Sequence, residues 1–240
     1  MKKMFIICVI LCVCLIFASL NNGFYYLAKK NMSDLRTTFF EGASDDYYCN
    51  ISCGTREEEY VYNGIKTKSV DCSVVSIIFN TSMQEKTIEF DVFIDDTQIT
   101  GLAEISPYEN VYMCDLKTKI SGTSNVFLQP KGTYLKTKLC CISSTWKISY
   151  NKAIKIGANY LKQTILNLYY NKKLNAECYL LTLANKYFKQ KFWYFSVIDT
   201  SGNINNCIID TTTGKVMAVS SLKWRHKTQN IDILSKPDYT

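Results

Sequence analysis

Residues 147–217 carry the most regular pattern of the chain, KISYNKAIKIGANYLKQTILNLYYNKKLNAECYLLTLANKYFKQKFWYFSVIDTSGNINNCIIDTTTGKVM. Ser149 is a favourable first residue for a helix, because its hydroxyl accepts a hydrogen bond from a first-turn N–H group. Apolar or small residues then recur at the spacing of a one-sided amphipathic helix. They are Ile154, Gly157, Ala158, Leu161, Ile165 and Leu168. The pattern predicts one helix that begins at Ser149 and ends near Asn171.

Beyond the helix, the apolar residues change to the two-residue period of strands. We predict strands at Cys178–Leu183, Phe192–Ile198 and Ile204–Asp210, and a short edge strand at Val216–Val219. The segments between the last strands, DTSGN and DTTTGK, have the composition of tight turns. The region is therefore expected to form a single helix packed on a three-stranded antiparallel meander.

Three segments of this region carry a family resemblance. They are Ile148-Ser149 before a helix with Ala153, the aromatic strand Phe192–Asp199, and Ile208–Val216, which contains Asp210 and Gly214 of the final hairpin. Together they resemble a PepSY domain, a module of secreted metallopeptidase propeptides and bacterial envelope proteins. The resemblance implies binding or inhibition of a partner and supplies no catalytic residues. The alternative is an unrelated α+β unit with a cystatin-like layout.

The N-terminal segment has the composition of an export signal or a membrane anchor. Lys2 and Lys3 precede an uninterrupted apolar run, Met4–Leu20. A basic flank before such a run is typical of a signal peptide or signal anchor. Residues 1–30 are therefore predicted to form an uncleaved membrane helix, with a cleaved signal peptide as the alternative. Either form places the bulk of the chain outside the cytoplasm, single-pass in the cell membrane or secreted.

The middle of the chain reads as β-structure. Residues 31–46 are polar and are expected to be a linker. Residues 47–145 contain short β-branched or aromatic runs about ten residues apart, which is typical of a sandwich or a barrel; of these we expect the β-sandwich. Residues 146–220 form the PepSY-like domain, and residues 221–240 a C-terminal tail. The predicted fold class is thus α+β.

Eight cysteines lie beyond residue 30, and an even number in an exported chain suggests disulfides. Cys140 and Cys141 are neighbours on a strand, so their side chains point to opposite faces and need different partners. Cys178 and Cys207 lie on strands that a third strand separates, too far apart for a bond. The six candidates for disulfides are Cys49, Cys53, Cys72, Cys114, Cys140 and Cys141.

The residue inventory does not favour catalysis, a metal or a cofactor. The single histidine, His226, lies in a basic tail, so a serine or cysteine nucleophile has no evident base. The cysteine spacing is wider than that of a zinc knuckle. The net charge of +7 comes from dispersed lysines and lacks the clustered stripe of a nucleic-acid reader. We therefore predict no catalytic residue, metal, cofactor or nucleic-acid partner.

The sequence leaves three functions open. The first is a non-catalytic exported or membrane-anchored protein whose PepSY-like domain binds or inhibits a peptidase or another envelope protein. Trp193, Tyr194 and Phe195 are its candidate partner-binding residues, because they alternate across the middle strand. The second is a structural component of an envelope or secretion complex, and the third is a viral or parasite surface glycoprotein.

Overall fold

The computed structural model describes residues 23–58, 66–106, 111–184 and 190–223, and most of them lie in strands. The chain divides into two compact units. We call Met1–Leu35, Glu57–Lys68 and Lys147–Trp224 the helix–sheet unit. We call Arg36–Arg56, Ser69–Trp146 and Arg225–Thr240 the barrel unit. The predicted tail residues 224–240, including His226, lie outside the described residues.

The barrel unit is one sheet that closes on itself. Its strands are β1 (Met32–Ala43), β2 (Tyr47–Glu57), β3 (Ser69–Phe79), β4 (Thr87–Ile94), β5 (Thr97–Ile105), β6 (Tyr112–Leu116), β7 (Val126–Pro130) and β8 (Thr137–Cys141). Their order is β1-β2-β3-β6-β5-β4-β7-β8. Strand β8 returns to β1, where Phe40 lies opposite Cys141 and Glu41 opposite Cys140.

This closure corrects the predicted β-sandwich. The expected linker 31–46 contains β1, which is the strand that pairs with β8 and so joins the two ends of the sheet. A strand paired on both sides has no free row of backbone N–H and C=O groups. Inward side chains such as Phe90, Val126 and Leu128 fill the interior. The α+β class is therefore wrong, and the chain is mainly β.

The described part of the helix–sheet unit contains three helical segments and the remaining strands. The helices are α1, described over residues 23–30, α2 (Tyr150–Tyr160) and α3 (Lys162–Leu168). A small hairpin, β9 (Tyr169–Tyr170) and β10 (Lys173–Leu174), precedes β11 (Ala176–Leu183), β12 (Phe192–Asp199), β13 (Asn203–Asp210) and β14 (Val216–Lys223). The sheet order is β14-β13-β12-β11-β1, and only the β1–β11 pair is parallel.

This unit differs from the predicted layout in two ways. Four antiparallel strands replace the expected three, because β14 extends to Lys223, and the start of β1 adds a fifth. The expected single helix is interrupted at Leu161, which separates α2 from α3. The predicted strands at Phe192–Ile198 and Ile204–Asp210 are confirmed, and β12 separates β11 from β13 as expected.

The predicted N-terminal membrane helix, residues 1–30, has no counterpart among the described residues. Among the helices of residues 23–58, 66–106, 111–184 and 190–223, none is long and apolar enough to cross a bilayer. The described part of α1 is short and ends on Lys29 and Lys30. The apolar run Met4–Leu20 lies outside the described residues.

Helix α2 packs closely on the sheet because of one glycine. The helix begins as predicted, with the Ser149 hydroxyl accepting from the Lys152 N–H at 3.4 Å. It buries Ala153, Ile154, Gly157 and Ala158 and contacts β12 and β13. A Cβ atom on Gly157 would lie 2.4 Å from the Phe195 ring. The glycine therefore lets the helix backbone approach β12 to a distance that no other residue permits.

We predict that Gly157→Ala destabilises the protein, although alanine favours helices. The clash with the fully buried Phe195 ring costs about 2 to 3 kcal/mol, and the helix propensity returns about 1 kcal/mol. The expected net loss in the free energy of unfolding is about 1 to 2 kcal/mol by urea denaturation of the full chain. Lys155→Ala, at an exposed position of the same helix, is the matched control and should change it by less than about 0.5 kcal/mol. Unchanged stability of Gly157→Ala would contradict this account of the packing.

Candidate interaction surface

Two of the three predicted partner-binding residues lie in the core of the helix–sheet unit. Trp193 is 1 % exposed, and its Nε1 donates a hydrogen bond to the Ile148 carbonyl at 2.8 Å. Phe195 is fully buried beneath Gly157. Tyr194 is half-buried, and this burial raises the pKa of its hydroxyl. Trp193 and Phe195 thus hold α2 and the sheet together, whereas Tyr194 stays partly accessible.

Strand β14 is the outermost strand of the described sheet in this unit. One edge pairs with β13, from Asn203 opposite Lys223 to Ile209 opposite Val216. Within the described residues, no strand pairs with the other edge. A free edge displays a row of N–H and C=O groups that are ready to pair with another chain.

The side chains of β14 are also exposed, on both faces of the strand. Met217, Val219 and Leu222 expose 49 %, 47 % and 42 % of their surface. Positions 217 and 219 share one face and position 222 lies on the other, because side chains alternate along a strand. Lys215 precedes the strand, Lys223 ends it, and both are exposed. The edge therefore offers apolar side chains on both faces, with a cation at each end.

Two carboxylate turns hold β13 in place. Asp199 accepts hydrogen bonds from the Ser201 and Asn203 N–H groups at 2.8 and 2.9 Å. Asp210 accepts from the Thr212 and Thr213 N–H groups at 2.9 and 2.6 Å. Burial alone raises the pKa of each carboxyl, but these donors favour the charged form and hold both pKa values below the usual range. The predicted turns are confirmed, and the second of them sets where β14 begins.

The predicted disulfides are wrong for the described residues. None of their eight cysteines is bonded to another. Cys49 and Cys53 pack as small apolar residues in the barrel core, and burial raises the pKa of both thiols to about 12. A protonated thiol is a poor nucleophile for disulfide exchange.

The other cysteines occupy several environments. Cys140 is exposed, and Cys141 packs against the core, so the neighbours lie on opposite faces of β8 as predicted. Cys72 is buried in β3, and Cys114 is partly buried in β6. Cys178 and Cys207 are buried on β11 and β13. Among the described residues, no group of three or more cysteine, histidine or acidic side chains is arranged to hold a metal ion.

The helix–sheet unit buries a pair of carboxyl groups that sequence reasoning missed. Glu57 and Glu177 are 1 % and 3 % exposed, and one oxygen of each lacks a hydrogen-bond partner among the described groups. The other oxygen of Glu177 accepts from the Tyr179 hydroxyl at 2.7 Å. Burial and the nearby charge of Glu177 raise the pKa of Glu57, against the hydrogen bonds that Thr67 and Ser33 donate to it. The sequence gives no sign that Glu57 is buried, because Glu57 belongs to an EEE run, which suggests an exposed charge. Its burial beside Glu177 follows from the pairing of distant segments.

Comparison of the chain with protein-family models, with curated proteins and with solved structures returns no match.

We predict that Glu57→Gln stabilises the protein at neutral pH and flattens its pH dependence. A carboxyl whose folded pKa is raised contributes most stability below its unfolded pKa of about 4.3, and that contribution is lost as the pH rises through the folded pKa. Glutamine is neutral at every pH, so the substitution removes the buried charge and its repulsion from Glu177. The expected gain above that range is about 1 kcal/mol.

The measurement is urea unfolding of the full chain from about pH 4 to about pH 8. Glu58→Gln removes the neighbouring exposed carboxylate, whose ion pair with Lys68 is also exposed, and should leave the pH profile unchanged. A Glu57→Gln variant that is less stable than the wild type at neutral pH would show that the buried carboxylate is stabilising.

Proposed function

We propose that the chain is a non-catalytic binding protein whose helix–sheet unit takes up an extended segment of a partner protein as an additional strand. The observation that carries the proposal is the outer edge of β14, which no described strand covers and whose side chains are exposed. Main-chain hydrogen bonds to a sheet edge supply affinity in such complexes, and alternate side chains supply specificity.

The residues along the outer edge of β14 indicate which kind of partner segment would fit it. Eight residues of β14 accommodate a segment of similar length. Apolar side chains on both faces favour a partner strand with apolar residues opposite Met217, Val219 and Leu222. Lys215 and Lys223 favour acidic residues at its two ends. The resemblance of residues 147–219 to PepSY modules supports a peptidase, or another exported protein, as the source of this segment.

The test uses lysine as a blocking residue. Lysine on an exposed strand edge disfavours pairing with another chain, yet it leaves an exposed position folded. We predict that Met217→Lys/Val219→Lys weakens binding of the full chain to its partner peptidase or exported protein by at least about ten-fold. Binding is measured by biolayer interferometry against exported proteins of the source organism, and inhibition by cleavage of a fluorogenic peptide.

The matched control is Leu102→Lys/Met113→Lys, which introduces the same residues at exposed apolar positions of the barrel strands β5 and β6. Those strands pair on both sides, so their edges are not available. Equal binding by the β14 variant and the wild type would exclude the edge as the binding surface. A wild-type dimer that the β14 substitutions dissociate, with no other protein bound, would identify self-association instead.

A further inference from the structure

A second exposed surface of the helix–sheet unit is strongly cationic. Between Leu116 and Ala176 the sequence contains eleven lysines and no aspartate, glutamate or arginine. The lysines in the second half of this stretch are all exposed, and among the described residues none of them makes an ion pair. They are Lys147, Lys152, Lys155, Lys162, Lys172 and Lys173.

Among the described residues, the carboxylates of the same unit do not offset this charge at the surface, and Asp34 is one of those that are buried. Glu57, Glu177 and Asp210 are buried, and Asp199 is engaged by its own turn. Glu58 is exposed but pairs with Lys68. The helices and the β9–β10 hairpin therefore present positive charge without local neutralisation.

Apolar side chains are interleaved with these lysines. Lys162 and Leu166 are one turn apart on α3, so they lie on the same side of that helix, and Lys155 is exposed on α2. The β9–β10 hairpin continues from α3, with Tyr169 and Tyr170 exposed. Tyr170 is 69 % exposed and Leu166 48 % exposed. We define the lysine–tyrosine face as Lys155, Lys162, Leu166, Tyr170, Lys172 and Lys173.

The hairpin holds its lysines in a strained turn. Asn171 and Lys172 have φ of 50° and 62°, which are the left-handed values that a two-residue hairpin requires. Glycine is the favoured residue at the second of these positions, and lysine is costly there. The turn thus displays a cation where backbone stability alone favours glycine.

We propose that the lysine–tyrosine face binds the surface of an anionic phospholipid bilayer. Lysines close to an anionic membrane are attracted to it, and tyrosine rings prefer the boundary between headgroups and acyl chains. Tyrosine and leucine insert their apolar bodies there, while the lysine stems keep their ammonium groups in the headgroup layer. The absence of arginine from the face favours lipid over nucleic acid, whose phosphates and bases arginine recognises in bidentate fashion.

The test compares vesicles of phosphatidylcholine with vesicles that also contain phosphatidylserine, using the full chain and co-sedimentation. The wild type is expected to bind the anionic vesicles more tightly, and high salt is expected to remove the difference. Every variant retains Met4–Leu20, so the contribution of this apolar run cancels in the ratio of anionic to neutral binding. Equal binding to both vesicles, or to neither, would overturn the proposal.

The decisive variant is Lys172→Gly/Lys173→Gln. Glycine adopts φ of 62° without strain, so the variant should melt at the same or a higher temperature than the wild type. Its preference for anionic vesicles is expected to fall by about ten-fold. Lys117→Gln/Lys119→Gln removes the same charge from exposed positions of the barrel unit and should keep the preference. An equal loss in both variants would show that net charge, and not this face, attracts the lipid.

Two further experiments are needed. The first distinguishes binding to lipid from binding to other polyanions, and the second tests whether the Tyr170 ring inserts into the bilayer. Single-stranded RNA should not displace the chain from anionic vesicles; displacement by RNA would overturn the proposal in favour of nucleic acid. Tyr170→Ser should weaken vesicle binding in high salt as well as in low salt, because its contribution is apolar. If Tyr170→Ser binds vesicles as tightly as the wild type, the Tyr170 ring does not insert, and that part of the proposal is wrong.

Discussion

The backbone hydrogen bonds between β1 and β8 are the constraint on which the barrel unit depends. Phe40 and Glu41 meet Cys141 and Cys140 there, and this pairing joins the two ends of an eight-strand sheet. Closure satisfies the peptide groups of both strands and encloses side chains such as Phe90 and Leu128. Each described strand of this unit therefore has a neighbouring strand on both sides.

The helix–sheet unit buries one face of its sheet under a helix, without closure into a barrel. Helix α2 covers β12 and β13, and Gly157 brings it against Phe195. That close packing uses Trp193 and Phe195 as core residues, so two of the aromatic side chains of β12 are buried. The sheet remains open at β14 within the described residues, which is where an additional strand is able to pair. The two proposed surfaces, β14 and the lysine–tyrosine face, therefore lie on elements that the core of this unit leaves exposed.

Charge has a different role in the interior and at the surface. In the interior, Glu57 and Glu177 are close and buried, so the pKa of Glu57 is raised. At the turns, N–H donors hold the pKa values of Asp199 and Asp210 down. At the surface, lysines remain exposed beside tyrosine. Because most of the described carboxylates in the unit are buried, the exposed lysines determine the electrostatic potential at its surface.

The local elements could be predicted from sequence alone. Ser149 as a helix start, β12 and β13, and the turns at Asp199 and Asp210 depend on neighbouring residues, so their patterns are visible along the chain. The break at Leu161 was not visible, because the apolar spacing continues through it.

Only the tertiary structure decided how these elements pair. Barrels and sandwiches share the same two-residue alternation, and the difference here is that residues 32–43, polar enough to be taken for a linker, form the closing strand β1. The burial of Trp193, the unbonded core cysteines Cys49 and Cys53, and the Glu57–Glu177 pair all follow from contacts between distant segments. The periodicity of the sequence shows which face of a helix or strand is apolar. Which other segment packs on that face depends on hydrogen bonds and packing between residues that are distant in the sequence.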